Sequence, residues 1–252
     1  MIAGFDIGIS LFAAVLVFAR MGAILMILPG FGEPSIPPRI RLSFALAFAL
    51  VAGPVIAPEL PAPPQSLSGL AGLVAVEVVI GLMIGAGARL LMAAAAVAGQ
   101  VIAYQTGLAM AQAFDPMQGQ SGALPAQFFN LLFLLLIFTT NIHHLLLQAA
   151  AGSYALMPAG QAPIWGDAAQ WALGLFIDSF IIAVRIASPL IAFGLIFYLG
   201  LGVLSRLMPQ AQIFFIAMPL NILLGFSILA ISLGAMSLIW VERLEEFAAT
   251  LG

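Results

Sequence analysis

RIASPLIAFGLIFYLGLGVLSRLMPQAQIFFIAMPLNILLGF, Arg185–Phe226, decides what kind of molecule this chain is. Two long apolar runs flank a short turn that carries Arg206 and Pro209. Each run also holds a proline of its own, Pro189 and Pro219. A helix in water rejects an interior proline, because the ring removes an amide and clashes with the preceding turn. A membrane helix tolerates it when neighbouring helices or polar side chains take up the freed carbonyl. The stretch therefore predicts a membrane hairpin that packs against other protein.

Working outward, the whole chain has the same character. It is 63% hydrophobic and 7% charged, with a mean hydropathy of +1.19. Soluble domains carry about 25% charged residues. All seven of its Lys and Arg residues are arginine, too few to coat a water-facing surface. Lipid or partner protein must cover most of the molecule. No basic footprint for nucleic acid is present. The chain has no cysteine, which excludes disulfides, cysteine-ligated zinc and thiol catalysis. From Asp6 and the lack of a basic start, the first apolar run is expected to be a retained span and not a signal peptide.

Six apolar segments are legible, at about Ile7–Leu28, Leu42–Ala57, Leu67–Leu91, Phe128–Leu147, Leu173–Leu199 and Ile213–Trp240. Most reach the roughly 20 residues that a spanning helix needs. The second is shorter, and is expected to tilt or to stop short of a full crossing. Proline and glycine punctuate the connections, as in Pro29–Pro38 and Pro58–Pro64. Arg39, Arg41, Arg89 and Arg206 fall in or at the first, third and fifth loops, and loops 58–66 and 148–172 have no arginine. The positive-inside rule then places the odd loops in the cytoplasm and both termini outside, with Arg243 arguing weakly the other way. The stretch Met92–Gln127 is too apolar for a solvated loop and too broken for a clean span, so it is expected to be irregular and internal, at a pore or cleft, or else to rest on the bilayer surface.

Few side chains invite chemistry. His143 and His144 are adjacent and point about 100° apart on a helix, so they do not chelate one metal together, and a role at a helix end is expected. Asp178 and Arg185 share a face of the fifth segment but stand two turns apart, too far for direct contact. With Glu77 they are either a transport relay or, as favoured here, intramembrane polar groups that serve assembly. Pro189 also deprives the Arg185 carbonyl of its amide partner. Gly81-x-x-x-Gly85 with Gly87 permits close helix approach. No P-loop, zinc-protease helix, nucleophile elbow or dinucleotide fingerprint is present, so neither an enzyme nor a cofactor is expected.

An ordered set of residues resembles the FliR family, the flagellar members of the export-gate proteins of type III secretion. It runs through Arg20, Pro29–Gly32, Ser35–Arg41, Glu77–Gly81, Ala88-Arg89, Ala98–Gln100, Gln105-x-Gly107, Phe114–Pro116, Asn130 and His143. It ends with Arg185–Pro189, Gly200–Gly202, Arg206, Pro209-Gln210, Phe214 and Pro219. The resemblance implies an all-α integral membrane protein of about six long apolar helices, one domain over residues 1–252. Residues 1–165 would be FliP-like, with an internal plug loop at about 106–122, and residues 170–252 a FliQ-like hairpin. It implies a structural subunit of the export channel, with FliP and FliQ homologues as partners and FlhB and FlhA nearby, in the bacterial inner membrane at the flagellar basal body. Unfolded flagellar subunits would pass through. Met110, Phe114, Asp115, Pro116 and Met117 match the plug, and Arg206, Pro209 and Gln210 the cytoplasmic end of the hairpin. The competing expectation is a small secondary transporter working through Glu77, Asp178 and Arg185.

Overall fold

The computed structural model describes residues 7–109, 123–209 and 212–251, and every regular element among them is helical. Seven α-helices follow in order: α1 Ile7–Ile27, α2 Pro38–Ile56, α3 Leu67–Gln105, α4 Leu124–Thr139, α5 Ile142–Leu156, α6 Trp165–Leu207 and α7 Ile213–Ala249. A 3-10 turn, Ala57–Glu59, extends α2. Pro38 opens α2, where a missing amide costs nothing because no helical carbonyl precedes it. Glycines at positive φ, Gly30, Gly107 and Gly160, turn the chain where helices stop.

Among the described residues, four helices are long and apolar enough to cross a membrane: α2 with its extension, α3, α6 and α7. The bent pair α4 and α5 makes a fifth if it counts as one span. The expected second segment is thus long enough, because the chain stays helical from Pro38 through Glu59. The expected fourth segment, Phe128–Leu147, is not one straight helix. It breaks after Thr139 with a 75° bend, and Asn141 takes φ 60°. Asparagine enters that left-handed region more readily than most residues, and Thr139-Thr140 before it are poor helix formers. The expected irregular stretch from Met92 is corrected as well. The alanine run keeps α3 helical to Gln105, and α4 starts at Leu124. Arg89 therefore lies inside a helix and does not begin a loop.

The chain divides into two compact units. The first holds residues up to Leu90, Ile137–Phe176 and Leu244–Gly252. Its centre is α1, whose Leu16, Val17, Met21, Ile24 and Leu25 are buried. The first apolar run, expected as a span, is a core helix, and its apolar stretch Leu11–Ile27 is shorter than the spans above. It packs along α2 and crosses close to α3. A Cβ on Gly81 would lie 2.4 Å from the Arg20 carbonyl oxygen, and one on Gly85 3.1 Å from that of Ile24. The small residues of α3 let two backbones touch, as their spacing predicted.

The second unit holds Leu91–Leu136 and Ile177–Arg243. Here α6 and α7 run antiparallel. Leu201 packs on Ile213 and Ala217 near the turn, Tyr198 lies by Asn221, and Asp178 meets Arg243 further back. Trp240 stacks on Phe133 of α4 with ring centroids 4.4 Å apart and donates to the Leu91 carbonyl at 3.0 Å. Both helices continue through Pro189 and Pro219. The Arg185 carbonyl that Pro189 leaves without an amide accepts from Ser188 Oγ at 2.7 Å. This is the polar side-chain compensation that interior proline requires.

Candidate functional site

Charge is scarce here, so where each charged side chain goes is the most direct guide to what the chain does. In the first unit α1 contributes Arg20 and α3 contributes Glu77, both fully buried. Arg20 Nε donates to Glu77 Oε2 at 2.7 Å and Nη2 to Oε1 at 3.3 Å. Arg20 also reaches Ser153 Oγ and the Met157 carbonyl, and its guanidinium lies 3.8 Å from the Tyr154 ring centre. Glu77 Oε1 accepts from the Gly160 amide at 2.8 Å. The pair thus ties α1, α3, the end of α5 and the following turn together, with every charge met by an opposite charge or a hydrogen bond. Arg20 entered the sequence reading only as a family residue. A lone arginine and a lone glutamate in separate apolar runs are the signal for such a partnership, but nothing in the sequence sets their distance.

Other charges in this unit secure the first loop. Arg89 donates to Glu33 at 2.5 Å, and Arg41 to the Met26 and Ile36 carbonyls. Arg41 thereby satisfies a carbonyl in the last turn of α1, where no helical amide is available. His143 and His144 sit in the first turn of α5, at a helix end as expected. His143 Nδ1 lies 3.2 Å from the Ile137 carbonyl, and the ring rests against Phe138. No group of His, Asp and Glu among the described residues could hold a metal.

In the second unit Asp178 pairs with Arg243, each side chain about one-third exposed. This absorbs Arg243, the residue that argued against the predicted orientation. Arg185 stands apart. It is exposed, and among the described residues its side chain has no hydrogen bond or ion pair. The three intramembrane groups singled out from sequence therefore do not form one site. Arg206 and Pro209 lie exposed at the α6–α7 turn. Gln210 and the residues that the resemblance implies as a plug, Met110, Phe114, Asp115, Pro116 and Met117, lie outside the described residues.

The end of α3, at Gln105, is held by a polar knot that sequence reasoning missed. Asn221 Nδ2 donates to the Gln105 carbonyl at 3.2 Å and contacts Tyr198 Oη at 3.4 Å. Gly107, at φ +76°, turns the chain out of α3. Gly194 makes room for the Gln105 side chain and Gly225 for Thr106. Asn221 is a polar residue in an apolar run, and its role follows from tertiary proximity alone.

The comparisons bear on this arrangement of buried, satisfied charge and outward apolar surface. The family model for bacterial export proteins, family 1, matches residues 11–247. A flagellar biosynthetic protein FliR from Caulobacter vibrioides is 43% identical over 243 residues, covering 96% of each chain. The FliR of Bacillus subtilis is 32% identical, covering 96% of this chain and 93% of its own. That of Escherichia coli is also 32% identical, covering 84% and 80%. With a match that runs from within α1 to within α7, this chain belongs to the bacterial export proteins, family 1, the family of the flagellar FliR proteins.

Proposed function

We propose that this flagellar export protein is a structural subunit of the type III export channel, assembled with FliP and FliQ homologues, through which unfolded flagellar subunits cross the bacterial inner membrane. The observation that supports this most is end-to-end kinship with FliR proteins in a chain whose intramembrane carboxylates, Glu77 and Asp178, are already paired within it. A protein that pairs its buried charges, Arg20 and Glu77, and leaves α6 and α7 apolar on the outside suits a subunit whose neighbours are helices. On this reading residues 1–165 are the FliP-like part and 170–252 the FliQ-like hairpin. Met110, Phe114, Asp115, Pro116 and Met117 plug the closed lumen, and Arg206, Pro209 and Gln210 face the cytoplasm near FlhB, with FlhA also in the apparatus.

The transporter alternative loses support from the charge pairings. A relay needs a carboxylate free to change partner or protonation state. Glu77 is held by Arg20 and the Gly160 amide, and Asp178 by Arg243. Co-expression tests the proposal. The chain made alone should aggregate in mild detergent, and FliP and FliQ homologues should bring it into one larger, discrete particle. A stable monomer indifferent to both would count against a channel subunit.

A further inference from the structure

Arg185 is a cation set in an apolar stripe, and among the described residues nothing meets its guanidinium. It lies near the middle of α6, a 43-residue helix roughly 65 Å long against about 30 Å of hydrocarbon. The inward side of the helix, Ile182, Ala183, Ile186 and Ala187, is buried. The outward face carries Ile177, Ile181 and Val184 on one side of Arg185 and Leu195, Ile196 and Leu199 on the other. Its near neighbour in sequence, Asp178, is already taken by Arg243. The Arg185 carbonyl is satisfied by Ser188, so only the guanidinium is left over.

An arginine inside an apolar surface is costly unless a counter-charge reaches it. A lipid phosphate would mark the boundary of an apolar surface. Here exposed apolar residues continue on both sides, Ile177 and Ile181 on one and Leu195 and Ile196 on the other, and an apolar partner helix covers both flanks at once, as a headgroup layer at Arg185 would not. We infer that this face of α6 docks an apolar helix of another membrane subunit, and that this helix carries one carboxylate level with Arg185. The inference rests on the proposed role as an assembly subunit and adds the chemistry of the contact. A planar guanidinium suits a bidentate carboxylate, and a buried pair of that kind fixes register between two otherwise uniform apolar helices.

Charge exchange tests it in cells whose motility depends on this chain. Arg185→Glu should lower the yield of the assembled complex at least about tenfold. Arg185→Lys should retain most of it. Each Asp and Glu within the apolar segments of the co-purifying subunits is then changed to Arg in the Arg185→Glu background, and one such change should restore both complex and motility. Full assembly with Arg185→Leu, or no rescue by any of these exchanges, overturns the inference and leaves the export role standing. Rescue of Arg185→Glu by altered anionic-lipid content instead of by a protein exchange assigns the contact to headgroups and also overturns it. If the unaltered chain brings down no membrane subunit at all, the export role itself fails and the inference with it.

Discussion

Arg20 and Glu77, fully buried on α1 and α3, meet through a 2.7 Å hydrogen bond directly beside the point where the two backbones come closest. The closest approach involves the same residue, since Gly81 sits against the Arg20 carbonyl. Close backbones and a buried ion pair reinforce each other. The small residues bring the helices near enough for the charges to pair, and the pair holds the crossing in one register.

Removing one partner should therefore harm far more than removing both. Arg20→Leu or Glu77→Leu leaves a buried charge uncompensated, a change that typically costs about 3–5 kcal/mol. The double replacement should recover much of that loss. Thermal stability of the detergent-solubilised protein with its partners gives the measurement. Additive losses in the double variant would show that the two residues act independently.

The Asp178–Arg243 pair should behave differently. Both side chains are about one-third exposed, so water screens them and the contribution falls towards the roughly 1 kcal/mol or less of exposed pairs. Asp178→Asn should lower the amount of assembled protein less than about fivefold, and the exchange Asp178→Arg with Arg243→Asp should be tolerated. Loss as severe as that of Glu77→Leu would mean that assembly buries the pair.

Glycine substitutions probe the packing of the second unit. A Cβ on Gly99 would fall 2.2 Å from the Ala126 Cα, where backbone cannot yield cheaply, whereas Gly200 has nothing within 4 Å. Gly99→Ala should cost at least about 1–3 kcal/mol through overpacking. Gly200→Ala should be neutral or slightly stabilising, since alanine favours helix by about 1 kcal/mol. Protease resistance of the two variants provides a direct comparison, and equal behaviour would contradict the close approach of α3 and α4.

Most helices were legible because their apolar runs are long and bounded by proline and glycine. Their roles were not. Hydropathy cannot separate α1, a core helix, from α7, an outward one, since lipid and protein interior select the same residues. The break at Asn141 was missed because Phe128–Leu147 is apolar enough to mask a single left-handed residue. The third apolar segment is expected to end at Leu91, just past Arg89, and the alanine run after it instead carries α3 on to Gln105. For the candidate sites, sequence found Glu77, Asp178 and Arg185 as rare intramembrane charges. It could not pair Glu77 with Arg20 or Asp178 with Arg243, as partners so distant in sequence are joined only by the fold.

Orientation can be read with single cysteines, because the native chain has none. Gly160 is a poor host. Its φ is +75°, and a Cβ there would lie 2.7 Å from Leu73. Gln161 is exposed beside it and suits the purpose. Gln161→Cys should react with impermeant maleimide from outside the inner membrane, and Ser205→Cys only after permeant reagent is used. The reverse pattern would invert the topology that the arginines of the first and fifth loops predict.

The plug assignment makes the sharpest functional prediction. Met110, Phe114 and Met117 would fill a narrow lumen, where flexible apolar side chains seal against ions and repack around a passing chain. The helix leading into the segment is held independently, by Asn221 on the Gln105 carbonyl and by the turn at Gly107. Deleting Met110–Met117 should thus leave the assembly intact and open it to ions and small solutes. Conductance of the purified complex in planar bilayers, with and without the segment, separates the possibilities. A steady leak after deletion supports a plug. A transporter would lose substrate uptake without gaining general permeability. A loop resting on the bilayer surface would leave the barrier tight, and that result removes the plug while leaving the family membership untouched.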